Sequence, residues 1–501
     1  MIIRRARCLS TLVPALAIAA LCGSAGAQTV GPQILVDPSA SGRGKSASET
    51  TASASEINPN RIITGWNDWR ASPTQSNEVI RARAGLSLDG GATWTDFDIR
   101  PPVAQQSGVE GDPMTAYDDR TGDLWYGAIS FSGSPGGIYV ARLAYPNTTF
   151  SASVMARQAS GTDKCWMAAG IRPGLPNTTR LYIAYNEGLI WSDNQGSTWT
   201  APVPLASGIG FLPRVGPQGE VYVAYWDFGT GVRMIRSLNG GTTRTTHNIA
   251  NRLDTWGTQD GSRFPGNFRV PPMNYIAVDP NNGTIYCVWF DRTNMAGSNH
   301  NVDLYMSKSV NQGTSWSAPV VIINGGTGGN GNNDQFWPWL EVDNNSRIHL
   351  TWFDGRNTVQ NDSSSNVNCF FDNYYAISND GGATWSQTRL SPSPWNGFND
   401  GLNRSQQFLG DYNALAQAGN KAWPVYMDSR LGDPDIYTNI VTISCRTDID
   451  GDGFVDGLDF DLFVDAYEAG QFPNGDYDRD GFIAGPDYDL YVQDFENGVC
   501  R

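Results

Sequence analysis

The sequence predicts an all-β protein, a ring of repeated antiparallel sheets, followed by a small helical module. Three observations carry this. One turn spelling occurs five times, a short strand ending in an aromatic or apolar residue recurs seven times, and residues 446–501 change to acidic ladders with helical periodicity.

The turns read Ser87-Leu-Asp89-Gly-Gly91-Ala-Thr93-Trp94, Ser192 to Trp199, Ser237 to Arg244, Ser309 to Trp316 and Ser378 to Trp385, with Arg244 in the place of Trp in the third copy. An Asx residue with Gly two positions on is hairpin-turn chemistry, because the Asx side chain caps its own backbone and Gly accepts a positive φ. The Ser and Thr hydroxyls can tie the turn to nearby amides, and the Trp anchors it by burying a large ring. A scattered repeat of this kind implies repeated supersecondary units.

The recurrent strands run beneath these turns, as in Arg61 to Trp66, Leu181 to Tyr185, Ile285 to Trp289 and Ile348 to Trp352. Turns such as Asp279-Pro-Asn-Asn-Gly283 precede most of them, and another strand stands before each turn. Four strands per repeat describe the blades of a propeller. The expectation is a seven-bladed β-propeller, with six blades as the alternative. The last repeat shows three strands, ending in Asp435 to Val441, so the fourth is expected from the segment near Pro32 to Val36.

Arg4, Arg5 and Arg7, the apolar run Leu9 to Leu21, and Ala25-Gly-Ala27 read as a secretory signal over 1–27, with the propeller over 28–444 and a separate module over 445–501. No later segment reads as a membrane span, and the expected location is outside the cytoplasm, secreted or at the cell surface. The net charge is −16, and fifteen carboxylates against three arginines lie within residues 446–501, so most of the acidity is local. No basic surface suggests a nucleic-acid partner. Three dispersed histidines argue against a His-rich zinc site. Cys445 and Cys500 bracket the last module and are expected to pair, whereas Cys165, Cys287 and Cys369 have no evident partner.

Within that module, Asp448, Asp450, Asp452, Asp456 and Asp459 follow a calcium-loop spacing, and Asp476, Asp478, Asp480 and Asp487 repeat it. The backbone carbonyls of Phe454 and Phe482 fall at the seventh position of each loop. Calcium (Ca2+) needs hard oxygens at these places and Gly at the sixth for the sharp turn. Ala484 removes an acid from the second loop. Each loop leads into an apolar-faced helix, one carrying Phe460, Phe463, Val464 and Tyr467, the other Tyr488, Tyr491, Val492 and Phe495.

Four repeated turns plus the third variant resemble the Asp box of the bacterial neuraminidase repeat found in sialidase-like propellers. The runs Asp163-Lys-Cys-Trp166, Asp334 to Trp339 and Gly410-Asp-Tyr-Asn-Ala-Leu415 extend that resemblance over roughly residues 50 to 443. The resemblance implies a secreted glycan-acting protein, a glycoside hydrolase of exo-sialidase type acting on a glycan or glycoconjugate. It would use an arginine triad on the sugar carboxylate, for which Arg292, Arg356 and Arg430 are the candidates, with Asp411 as acid and Tyr412 as nucleophile. Arg269, in Phe268-Arg-Val-Pro271, matches a further family arginine in spelling, and Glu110, Glu187 and Glu341 are candidate glutamates. The alternative is a non-catalytic propeller that binds glycan or protein, in which Asp-Arg spellings such as Asp354-Gly-Arg356 and Asp428-Ser-Arg430 brace loops. The duplicated loop-helix, of EF-hand type, resembles a type I dockerin and implies a cohesin-like partner. Gly457-Leu458 and Gly485-Pro486 depart from that family's recognition pair.

Overall fold

A computed structural model of the chain describes residues 28–38, 46–70, 79–102, 110–130, 136–255, 268–294, 301–325, 333–357, 369–402, 406–450, 455–478 and 481–496. The expected signal over 1–27, most of the polar stretches 324–333 and 357–368, and Cys500 lie outside the described residues.

Strands dominate. The first sheet holds β2 (Ala47–Ala54), β3 (Ile62–Asp68), β4 (Arg81–Ser87) and β5 (Thr95–Asp98) in that order. The second holds β6 (Glu110–Tyr117), β7 (Leu124–Ser130), β8 (Gly137–Leu143) and β9 (Val154–Gln158). The third has three strands, β10 (Trp166–Arg172), β11 (Leu175–Tyr185) and β12 (Gly188–Ser192). The fourth holds β13 (Ile209–Val215), β14 (Val221–Asp227), β15 (Gly231–Ser237) and β16 (Thr245–Asn251), and the fifth β17 (Asn274–Val278), β18 (Ile285–Asn294), β19 (Asn301–Ser309) and β20 (Val320–Ile323). The sixth runs β21 (Gln335–Val342), β22 (Ile348–Asp354), β23 (Phe370–Ser378) and β24 (Ser386–Arg389), with the short β25 (Trp395–Asn396) on β23. The seventh holds β26 (Ala414–Ala418), β27 (Lys421–Asp428) and β28 (Asp435–Ile443), and β1 (Gln28–Leu35) completes it. All named ladders are antiparallel, and β1 pairs with β28 from Gln28 opposite Ile443 to Leu35 opposite Tyr437.

The third sheet departs from four strands. Its outer position is reduced to one bridge, Leu189 with Val203. Val203 stands between Pro202 and Pro204, and two residues without an N–H cannot extend a ladder.

First strands of successive sheets pack on one another in order, β2 on β6, β6 on β10, β10 on β13, β13 on β17, β17 on β21 and β21 on β26, and β26 returns to β2. The contacts close a β-propeller-like ring with the first strands around its centre. Apolar side chains between the sheets, including the fully buried Trp66, Trp226, Trp289, Trp352 and Trp423, form the core. Register fixes which ends face which mouth. Ala47 opposes Asp68, Ala54 opposes Ile62, and Ile62 opposes Ser87. The start of β2 and the end of β3 therefore share one mouth, and the repeated turn after β4 lies at the other.

Those turns share one bond pattern. Ser87 Oγ accepts from Gly91 N at 2.8 Å, and Ser192, Ser237, Ser309 and Ser378 do the same for the Gly four residues on, at 2.7–2.9 Å. The indoles of Trp94, Trp199 and Trp385 donate to the carbonyls of Gly91, Gly196 and Gly382 at 3.1, 3.0 and 3.2 Å. Arg244 keeps this bond in the third copy, reaching Gly241 O at 2.6 Å. Gly91, at φ 89°, has no room for a side chain, since a Cβ would lie 2.6 Å from Trp423 Nε1.

Two helices follow, α1 (Gly457–Glu468) and α2 (Gly485–Glu496). Their apolar faces meet, with Phe463 stacked on Tyr491 at 3.8 Å. Cys445 is disulfide-bonded, Cys165 and Cys287 are free and buried, and Cys369 is buried. No described helix is long and apolar enough to cross a membrane.

Candidate functional site

The entry mouth of the ring is built from an irregularity repeated in four first strands. The ladders skip between Ser48 and Thr51, Gly111 and Met114, Ile209 and Leu212, and Phe336 and Trp339. The first skipped residue has a positive φ each time: Glu49 at 57°, Asp112 at 44°, Gly210 at 74° and Trp337 at 47°. A bulge re-aims a side chain, and a left-handed non-Gly residue costs about 1–3 kcal/mol that the surrounding structure must offset. Lys164, just before β10, also has a positive φ, 50°.

Three of these residues, Glu49, Asp112 and Lys164, meet in one buried polar cluster. Lys164 Nζ bonds the carboxylate of Asp411 and lies 3.4 Å from Glu49 Oε1. Arg269 bonds the same Asp411 oxygen as Lys164. Asn67 donates to Glu49 and accepts from Asp112 N at 2.8 Å. Asp112 Oδ2 accepts from Lys164 N at 2.8 Å. Gly410, at φ 93°, lets the chain before β26 pass this point, because a Cβ there would lie 3.0 Å from Glu49 N.

Burial pushes the Glu49 carboxyl well above its ordinary range, and Lys164 offsets only part of that. Burial would raise Asp411 too, but the Lys164 and Arg269 charges outweigh it and hold Asp411 below the usual range. Asp411 thus carries a charge at neutral pH. Asp163 differs from both. It is an exposed residue, and desolvation followed by the charge of Asp112 lifts its carboxyl to about 6 against the pull of Lys164. Its backbone is pinned by Asn186 Oδ1 at 3.0 Å.

Of the residues expected from sequence, Asp411 and Tyr412 stand at this cluster. Tyr412 is 2% exposed, its ring packed on Trp166 at 5.2 Å with Lys164 Nζ 5.4 Å from its centre, and burial raises its hydroxyl well above 10. Arg292 in β18, Arg356 just after β22 and Arg430 just after β27 belong to three separate sheet units, each closed on a carboxylate. Arg292 bonds Asp254. Arg356 bonds Asp354 at 2.6 Å and stacks on Tyr374 at 4.3 Å. Arg430 bonds Asp428 at 2.8 Å and covers Tyr437 at 5.1 Å. Glu110 pairs with Arg100 at 2.9 Å, Glu187 lies 3.5 Å from Arg157, and Glu341 pairs with Arg214 at 2.6 Å. Glu49, Asn67 and the role of Lys164 were not visible in the sequence. The Asp163-Lys run was the available signal.

The second candidate site lies before α1 and α2. Carboxylate oxygens of Asp448, Asp450 and Asp459 all lie within 4.8 Å of one another, as do those of Asp476, Asp478 and Asp487. Asp476 Oδ1 is buried without a hydrogen-bond partner. Asp456 caps α1, accepting from Leu458 N at 2.8 Å. An all-oxygen acidic set suits a hard divalent cation. Asp452, Phe454 and Asp480 lie outside the described residues; Phe482 is described and exposed.

No protein-family model matches the chain, and no curated protein matches it. Among solved structures it is similar to the Hadza microbial sialidase Hz136, at 16% identity over 63% of this chain and 64% of that one, with a TM-score of 0.42. It is similar to the BP39L lectin from Burkholderia pseudomallei at 13% identity, covering 79% and 96%, with a TM-score of 0.45. A third likeness is to the Penicillium chrysogenum alpha-L-arabinanase complexed with arabinobiose, at 13% identity, covering 83% and 98%, with a TM-score of 0.41.

Proposed function

We propose that the chain is an exported, glycan-acting hydrolase built as a seven-bladed propeller over residues 28–444, with substrate lying across the entry mouth. Asp163 is the proton donor, and Arg269 offers an acidic sugar its cationic contact. The observation that carries this reading is the division between carboxyls at one mouth: Asp163 lifted to about 6 at the solvent edge, and Asp411 held low beneath it. Carboxyls pushed apart in proton affinity are how one site supplies an acid and a fixed negative charge together. Arg269 is about a quarter exposed at its side chain, 27%, so it can reach a ligand while bonded to Asp411. Asp411 and Tyr412 then position Lys164 and Arg269 from behind, and Arg292, Arg356 and Arg430 brace the rim.

Residues 445–501 form a dockerin-like module whose two loops hold calcium through Asp448, Asp450 and Asp459 and through Asp476, Asp478 and Asp487. Bound calcium would fix the loops before the helices and leave their outer faces for a protein partner of cohesin type.

The test is turnover of sialosides, uronic-acid glycans and neutral glycans by the purified mature chain, beside Asp163→Asn. Hydrolysis of an acidic glycan that Asp163→Asn removes supports the proposal. A second reading is a non-catalytic glycan binder, favoured by the closed pairs at Arg292, Arg356 and Arg430. Binding of the same glycans without turnover by the parent chain would establish it instead.

A further inference from the structure

The channel continues past the polar cluster. On the far side of Trp166 it opens into a cavity of about 370 Å3 at the exit mouth, the end that carries the repeated turns. Some of its wall is self-satisfied. The hydroxyls of Thr51 and Thr115 lie 3.0 Å apart, and Ser53 donates to Thr115 at 3.0 Å. Arg214 is closed on Glu341 at 2.6 Å, lying over Trp339, and Arg120 on Asp118 at 3.3 Å.

Other groups are not satisfied. Trp166 is 3% exposed and lines the cavity, and its indole N–H has no hydrogen-bond partner. Gln417 is 6% exposed and lines it too, and its amide oxygen has no partner. A buried donor and a buried acceptor left open on one cavity wall are costly unless something fills them. Two carboxyls that, among the described residues, have no ion-pair partner stand near it: Asp119 lines the cavity, and Glu56 lies beside it, next to Gln417 and Gly419. Asp119 accepts from the Tyr117 hydroxyl, and Glu56 accepts from Gly419 N at 3.0 Å with its other oxygen unsatisfied. Burial, more than any neighbour, lifts Asp119 to about 6 and Glu56 to about 7. The charged groups around them, Asp118, Glu341 and Asp343, are each committed to a cation of their own.

We propose that this exit cavity binds a small hydroxylated ammonium ion, its charge near Asp119 and Glu56 and its hydroxyls on the Trp166 N–H and the Gln417 oxygen. The ammonium compensates the two lone carboxyls, and the hydroxyls complete the open donor and acceptor. The site lies at the opposite mouth from Asp163, and it does not depend on what that mouth does.

A matched pair of probes tests this. Glucamine and sorbitol differ only by an ammonium in place of a hydroxyl. Calorimetry on the full mature chain at pH 7.5 should show one glucamine site per chain, at least tenfold tighter than any sorbitol site. At pH 6, where both carboxyls are still partly protonated, the heat should also vary with buffer ionisation, because a bound cation expels protons from Asp119 and Glu56. Asp119→Asn and Glu56→Gln should each reduce the preference for glucamine, and both should keep the parent melting temperature to within about a degree. Absence of glucamine heat, equal affinity for the two probes, or a preference untouched by both variants would overturn the proposal.

Discussion

Lys164→Met removes one cation from the centre of the ring and leaves its partners in place. Lys164 is 5% exposed and Asp411 is fully buried. The substitution keeps the length of the stem but strands the Asp411 charge on Arg269 alone. Breaking a buried pair by deleting one member costs about 3–5 kcal/mol, because the remaining charge keeps its desolvation penalty. A ring of roughly 400 residues unfolds with an entropy near 0.8 kcal/mol/K, so the expected fall in melting temperature is about 4–6 °C. The assay is tryptophan fluorescence, which reads the propeller alone, since residues 446–501 contain no Trp. The double variant Lys164→Met/Asp411→Asn removes the stranded charge and should recover more than half of the loss. A single-variant loss below about 1 kcal/mol, or a double variant worse than the sum of the singles, would refute the view that this ion cluster is what holds the strained mouth together.

Three further outcomes follow from the same geometry. Asp343 is buried, which alone would raise it, but bonds from His349 and Arg347 bring it down to about 2. A depressed folded value adds stability above the unfolded value near 3.8 that disappears as pH falls toward 2. Asp343→Asn should therefore flatten the pH-stability curve between about 4 and 2 by about 2 kcal/mol, read by urea melts at several pH values. If Asp163 donates a proton, turnover should decline as pH rises through about 6, and Asp163→Asn should lower kcat by a hundredfold or more without shifting the melting temperature. Asp448→Ala should abolish one calcium-binding event in calorimetry and leave the weaker second, and chelation should lower far-ultraviolet helical signal while sparing the tryptophan transition.

Much of the ring was legible because its cues are local. Turn chemistry at Asp89, Asn194 and Asp380, and alternation along Val221 to Tyr225, act within a few residues. The completing strand near Pro32 to Val36 was legible by subtraction, since the last repeat lacked one. The shortened third sheet was missed, although Pro202 and Pro204 are its cause, because the effect of proline depends on a ladder the sequence does not display. At the site, Asp163, Asp411 and Arg269 were readable from their spellings. Glu49 was not, for Ser48-Glu-Thr-Thr51 looks like any polar strand. Its importance comes from a left-handed bulge that turns it toward Lys164, 115 residues away in the chain. The arginines illustrate the converse. Their spelling shows an acid two residues before Arg356 and Arg430, and the folded chain closes those pairs as that proximity permits.

The pairing of β1 with β28 has a consequence for how the molecule comes into being. Gln28 and Ile443 are neighbours across a ladder but are 415 positions apart in the chain. During synthesis, at some 5–20 residues per second, the first strand waits tens of seconds before its partner exists. Until then β1 is an unclaimed strand and β2 and the sheet after it have an open flank. Local hairpins can form early, but the circle shuts last, through the contact with the longest loop to close. Slow translation or late release of the final repeat would thus prolong an aggregation-exposed state, and a chaperone that masks β1 would act at the most vulnerable moment of its assembly.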